Sequence, residues 1–144
     1  RVDLFDISKE AVELSRMNAK ELGVEKQVRI FQRNLFDGVF FEGCGKYDVI
    51  VSNPPYIRTE VIDKLSPEVK NEPKWALDGG SDGMLFYRRL LKVCPPMINA
   101  GGHLVLEIGY DQKDAIEDLC QSRGYLCRVY KDYGNNDRVC VVDF

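Results

Sequence analysis

Long apolar runs are missing from this sequence. None approaches the roughly 20 residues that a membrane-spanning helix requires, which excludes that class of protein. A Cys-x-x-Cys pair is also missing. The five cysteines (Cys44, Cys94, Cys120, Cys127 and Cys140) are accompanied by a single histidine, His103. A zinc site would need an unusual ligand set, so the expectation is no metal, free thiols and a reducing, cytoplasmic location. Excess charge of one sign is absent as well: the formal net charge is −3 over 144 residues, which gives no electrostatic reason to expect nucleic acid. Repeats and low-complexity tracts do not occur. No targeting segment is visible, and the chain opens on Arg1 inside an apolar segment, Val2-Asp3-Leu4-Phe5, that reads as a strand already under way. The chain is expected to be a fragment of a longer protein. What is present is ordinary for a soluble globular domain, with 44% hydrophobic and 30% charged residues and enough length to bury a core.

Strand and helix signals alternate along the chain. Ser8 is placed to cap a helix whose first turn holds Glu10, and Ala11, Leu14, Ser15, Asn18 and Leu22 recur at helical spacing before Gly23. Val28–Gln32 reads as a strand, and Asn34–Lys46 is rich in turn residues. Tyr47–Ser52 is apolar almost throughout, as expected of a central parallel strand buried on both faces. From Asn53 to Asp82 runs a long segment holding four of the chain's six prolines and Gly79-Gly80; loops of that length are usually functional. Met84–Val93 is a helix that Pro95-Pro96 ends early. His103–Ile108 is a buried strand and Gln112–Arg123 a helix closed by Gly124. Tyr125–Tyr130 and Arg138–Asp143 flank the turn signal Gly134-Asn135-Asn136 as an antiparallel pair. This order argues an α/β fold: a mostly parallel, doubly wound sheet that ends in an antiparallel hairpin.

Ligands in open α/β sheets lie outside the carboxyl ends of the strands, and three short motifs fall there. Asp6 follows the first strand, where a carboxylate can accept from both hydroxyls of a ribose; the bland alternative is a solvated or helix-capping acid. Asn34 follows the second, where its amide can meet an adenine amino group while Leu35 packs on the ring, or where it simply forms an Asx-turn. Asn53-Pro54-Pro55-Tyr56 follows the third. The lone pair of an amide or aromatic amine is delocalised, so such a nitrogen is a weak nucleophile. Two acceptors, the Asn53 side-chain oxygen and the Pro54 carbonyl, can hold its two N–H groups and leave the lone pair facing a methyl donor. The prolines stiffen the loop and remove backbone donors, and Tyr56 offers a flat face to a planar group. Otherwise the motif is a proline-rich turn.

Tyr47–Ile57 (YDVIVSNPPYI) resembles the motif of the HemK/PrmC family, class I methyltransferases that act on protein glutamine. Glu72-Pro73, Ala76-Leu77, Gly79-Gly80-Ser81-Asp82-Gly83, Gly101-Gly102, Leu104–Gly109 with Gln112, and Lys131-Asp132-Tyr133-Gly134 with Asp137-Arg138-Val139 follow in the family's order. The resemblance covers nearly the whole chain. It implies a Rossmann-like class I fold and transfer of a methyl group from S-adenosylmethionine to the glutamine side-chain nitrogen in the Gly-Gly-Gln motif of peptide chain release factors.

By the same resemblance Asp6 holds the ribose, Asn34 and Leu35 the adenine, and Asn53 and Pro54 the substrate amide, with Pro55 and Tyr56 completing the pocket. Glu107 falls where the family also carries an acid. Residues 1–144 then form the C-terminal part of a methyltransferase domain. The helical N-terminal domain, the first strand and its glycine-rich loop are expected upstream of Arg1, with that strand between the one ending at Phe5 and Tyr47–Ser52. Two rivals remain: a related enzyme that methylates flipped-out adenine in nucleic acid, and one that acts on a ribosomal-protein glutamine.

Overall fold

The computed structural model describes residues 1–144, the side chains of Glu68 and Lys70 excepted. The chain forms two compact units, Arg1–Gly43 and Cys44–Phe144. In the first, strand β1 (Val2–Asp6), helix α1 (Lys9–Glu21) and strand β2 (Val28–Gln32) make one βαβ turn, with β1 and β2 parallel and Asp6 opposite Gln32. Ser8 caps α1 by accepting from the Ala11 amide at 3.1 Å, and Gly23 leaves the helix at φ 67°. The inward face of α1 differs from the sequence expectation. Val12 and Ala19 are buried, whereas Leu14 and Leu22 are 57% and 74% exposed. A two-stranded sheet is narrow, and within this unit it covers a single stripe of the helix. Phe5 stacks on Phe31 (5.2 Å) and meets Phe40 (4.9 Å), so the turn-rich segment after β2 folds back onto the sheet.

The second unit begins with β3 (Tyr47–Ser52). The long proline-rich segment that follows holds three one-turn helices, α2 (Thr59–Ile62), α3 (Pro67–Lys70) and α4 (Lys74–Leu77). Then come α5 (Leu85–Val93), a 3-10 turn at Pro95–Met97, β4 (Ile98–Glu107), α6 (Lys113–Ser122), β5 (Leu126–Lys131) and β6 (Asp137–Asp143). The sheet order is β3-β4-β6-β5, with β3 and β4 parallel and β6 antiparallel to both its neighbours. The strand expected from His103 starts at Ile98 instead, with a register shift against β3. Fully buried side chains from α5 (Tyr87, Leu91), β4 (Leu104, Leu106), α6 (Ile116) and β6 (Val142) build the core; each such aliphatic side chain contributes about 1.5–3 kcal/mol.

The reading of Tyr47–Ser52 as central and buried on both faces is corrected. β3 is an edge strand of its sheet, and Val49 and Val51 are 50% and 73% exposed. Its apolar residues are those of an interior strand, but within its unit it has one hydrogen-bonded neighbour. No helix is long and apolar enough to cross a membrane among the described residues.

Candidate active site

In the first unit, parallel register sets the loops after β1 and β2 side by side. The Arg33 amide donates to the Asp6 carbonyl at 2.8 Å, and Gln32 Nε2 donates to the Ile7 carbonyl at 3.2 Å. The Asp6 carboxylate is half-buried, and its Oδ1 accepts from the Ser8 amide at 2.8 Å, which fixes the side chain and leaves Oδ2 as an acceptor. Asn34 forms the Asx-turn foreseen as its bland alternative, its Oδ1 accepting from the Phe36 amide at 3.0 Å. The carbonyl oxygen of an amide has a second lone pair, so this turn still leaves an acceptor. Leu35 is half-buried next to it.

In the second unit, Asn53 follows β3 at the carboxyl end of the sheet. Its side chain is exposed and makes no hydrogen bond among the described residues. Pro54 is buried, and no backbone amide of the described residues donates to its carbonyl. Two acceptors on consecutive residues are therefore uncommitted. Pro55 and Tyr56 are half-buried. The Tyr56 hydroxyl donates to Glu107 Oε1 at a long 3.4 Å. Burial first, and then the Glu107 charge, raise the Tyr56 phenol above its ordinary value, while Arg138 works weakly in the other direction. The phenol is thus neutral and able to donate.

The loop is clamped from the side of Gly79–Gly83. The Ile57 amide donates to the Leu77 carbonyl at 3.0 Å, and the Gly79 amide returns a bond to the Ile57 carbonyl at 2.8 Å. A Cβ on Gly79 would lie 2.7 Å from Tyr56 Cα, and one on Gly83, which has φ 73°, would lie 2.5 Å from the Tyr56 carbonyl oxygen. Asp82 receives Arg88 through both its oxygens (2.8 and 3.0 Å) and accepts from the Met84 amide at 3.0 Å, so it ties the glycine loop to the start of α5. The contact with Arg88 is the main reason that its carboxyl falls to about 2.

The sequence profile of the methyltransferase small domain matches residues 1–86. The chain belongs to that family. Among curated members, it is 42% identical over 139 residues to the release factor glutamine methyltransferase of Caulobacter vibrioides, covering 95% of this chain and 47% of that protein. It is 40% identical over 112 residues to the ribosomal protein uL3 glutamine methyltransferase of Bordetella pertussis, covering 78% of this chain and 37% of that one. The chain thus spans less than half the length of these methyltransferases. A methyltransferase structure from Pyrococcus furiosus superposes with a TM-score of 0.69 at 22% identity, covering 100% of this chain and 62% of that one. The fold is the Rossmann-like α/β fold of class I methyltransferases.

Within this methyltransferase unit the tail motif acquires a physical role. Asp132 closes the β5–β6 turn by accepting from the Asn136 amide at 3.0 Å, and its Oδ2 accepts from Arg138 Nε at 3.2 Å. Arg138 also donates to the Ile108 carbonyl at 3.2 Å, which braces the end of β4 next to Glu107. Gln112 Nε2 donates to the Tyr56 and Gly83 carbonyls, a part missed by sequence reasoning, which placed this residue at the start of a helix and in a family-like string. Tyr87 was missed altogether; its one signal was a polar-tipped aromatic on the buried face of α5. Apart from this site, the sulfur atoms of Cys120, Cys127 and Cys140 lie within 4.8 Å of one another, a three-thiol cluster that the sequence spacing did not reveal. All five cysteines are free thiols, and burial pushes that of Cys94 up to about 12.

Proposed function

We propose that the protein containing this chain methylates the glutamine side chain in the Gly-Gly-Gln motif of peptide chain release factors, using S-adenosylmethionine. The uncommitted acceptor pair at Asn53 and Pro54, on a member of a methyltransferase family, carries this reading. A primary amide has two N–H donors, and Asn53 Oδ1 and the Pro54 carbonyl supply one acceptor for each. Held so, the two N–H groups are oriented and the face of the nitrogen that carries its lone pair is left open to the incoming carbon. Tyr56 packs its ring against the planar group, and Glu107 fixes that ring through the hydroxyl.

The donor set of the first unit fits the cofactor: the Asp6 carboxylate is pinned through one oxygen and offers the other to a ribose hydroxyl. Asn34 meets the adenine amino group and Leu35 its ring. S-adenosylmethionine, when bound, supplies an electrophilic methyl group. The chain is proposed as the C-terminal part of the catalytic domain, consistent with its share of its relatives' length and with the unpaired edges of β1 and β3. The place of action is the cytoplasm, with the release factor as partner.

Mass spectrometry of a release factor incubated with the full-length protein and S-adenosylmethionine tests the reading. A gain of one methylene on the Gly-Gly-Gln glutamine is expected, and an unmodified glutamine at full conversion conditions counts against it. The likeness to a uL3 methyltransferase supports a second reading, a ribosomal-protein glutamine. Adding uL3 to the same reaction separates the two.

A further inference from the structure

Gln112 is the one buried amide side chain among the described residues, 4% exposed, and both ends of its amide are engaged. Nε2 donates to the Tyr56 carbonyl (3.1 Å) and to the Gly83 carbonyl (3.2 Å). Oε1 accepts from the Gly109 amide (2.8 Å), and the Tyr87 hydroxyl, whose single proton it shares with the nearer Glu107 carbonyl, lies at 3.2 Å. Turning the amide over would set an oxygen against two carbonyls and an NH2 against an amide N–H, so the neighbours fix its orientation. Space is reserved for it too. A Cβ on Gly83 would lie 2.6 Å from Nε2, and one on Gly109 would lie 2.9 Å from Oε1. No other natural side chain of this length combines two donors with a two-lone-pair acceptor at its tip.

We propose that Gln112 is a positioning residue for the acceptor loop. Its amide fixes the Tyr56 carbonyl, and the loop transmits that constraint to Pro54. Transmission runs through the short backbone of Pro55 and Tyr56: the Pro55 ring locks φ near −65°, which removes one of the soft torsions between the Pro54 and Tyr56 carbonyls. A backbone held at Tyr56 therefore limits the direction in which the Pro54 oxygen faces. The Tyr87 hydroxyl, which also approaches the Glu107 carbonyl at 2.9 Å, joins the same bond network to the end of β4. This role rests on the reading that Asn53 and Pro54 orient the substrate amide.

The test is Gln112→Glu in the full-length protein. The variant keeps side-chain length and both acceptor bonds but puts a carboxylate oxygen where two carbonyls need a donor. Turnover on the release factor is expected to fall about 10- to 100-fold, as for a reacting group misplaced by an ångström or less. Affinity for S-adenosylmethionine, read by calorimetry, stays within about twofold, since Gln112 is not among the cofactor contacts. Hydrogen exchange at the Ile57 and Gly79 amides speeds up while that of the core of β4 does not. Wild-type turnover in a folded Gln112→Glu variant overturns the proposal, as does a loss of turnover matched by an equal loss of cofactor affinity. If that variant does not fold, Tyr87→Phe removes one bond from the hub and is expected to lower turnover a few-fold with cofactor affinity unchanged; an unchanged turnover there also overturns it. A wild-type protein inert on release factors counts against the substrate reading instead. Exchange at Ile57 then still decides the positioning role, and equal protection in both proteins overturns it.

Discussion

At Asn53 and Pro54 one acceptor is a side chain, open to substitution, and the other is a backbone carbonyl that substitution does not remove. Asn53→Ala removes the first and leaves the second. Loss of one preorganised polar contact to a reacting group costs roughly 10²–10³-fold in rate, so turnover is expected to fall by that factor while cofactor binding changes little. Near-normal turnover of the full-length Asn53→Ala protein on a release factor would remove Asn53 from the chemistry. Asp6 belongs to the opposite class. Its carboxylate is set by the Ser8 amide and, in the proposed reading, offers its other oxygen to the ribose, so Asp6→Ala is expected to weaken S-adenosylmethionine about 10- to 150-fold, the equivalent of one charge-assisted hydrogen bond. A calorimetric titration with unchanged affinity sinks that assignment.

Between elements, the tightest fit is where the glycine loop meets the acceptor loop. Gly83→Ala combines a left-handed φ of 73° with a Cβ only 2.5 Å from the Tyr56 carbonyl. It is expected to destabilise the protein by about 1–3 kcal/mol, and to depress turnover beyond what the shift in unfolding midpoint explains. Equal unfolding midpoints for variant and wild type would show that the loops part at no cost. Most elements were legible because hydrophobic period and turn residues are local signals: β2, α5, α6 and the final hairpin all fall within a residue or two of their expected bounds. Burial was less legible. Leu14, Leu22, Val49 and Val51 have side chains suited to a core, yet exposure depends on which neighbour covers them, and that is not a local property. Asn53 and Pro54 stood out because the run Asn53-Pro54-Pro55-Tyr56 directly follows an apolar strand. Gln112 did not, since three of its partners, Tyr56, Gly83 and Tyr87, lie far from it in the chain.

For the molecule as a whole, the two sheets leave β1, β2, β3 and β5 each with a single hydrogen-bonded neighbour. Exposed strand edges recruit other chains, and β3 adds Val49 and Val51 on an open face. The 144-residue chain by itself is accordingly expected to bind S-adenosylmethionine poorly and to self-associate. Light scattering across a concentration series should show mass rising with concentration. A constant mass of 16.5 kDa together with tight cofactor binding would mean that these edges need no further partner.

The strand order of the second unit also has a consequence in time. β6, the last strand of the chain, lies between β4 and β5, and its first residues brace the end of β4 through Arg138. As the ribosome makes this protein, β4 emerges with one flank open and waits some thirty residues, about the 30 that separate Ile108 from Arg138, for its second neighbour. Such non-local pairing is slow to form and leaves apolar surface open meanwhile. The acceptor loop, encoded far earlier, gains its full support only when the final seven-residue strand has left the exit tunnel, so a nascent chain stalled short of Asp137 carries the whole Asn53-Pro54-Pro55-Tyr56 motif without the brace next to it.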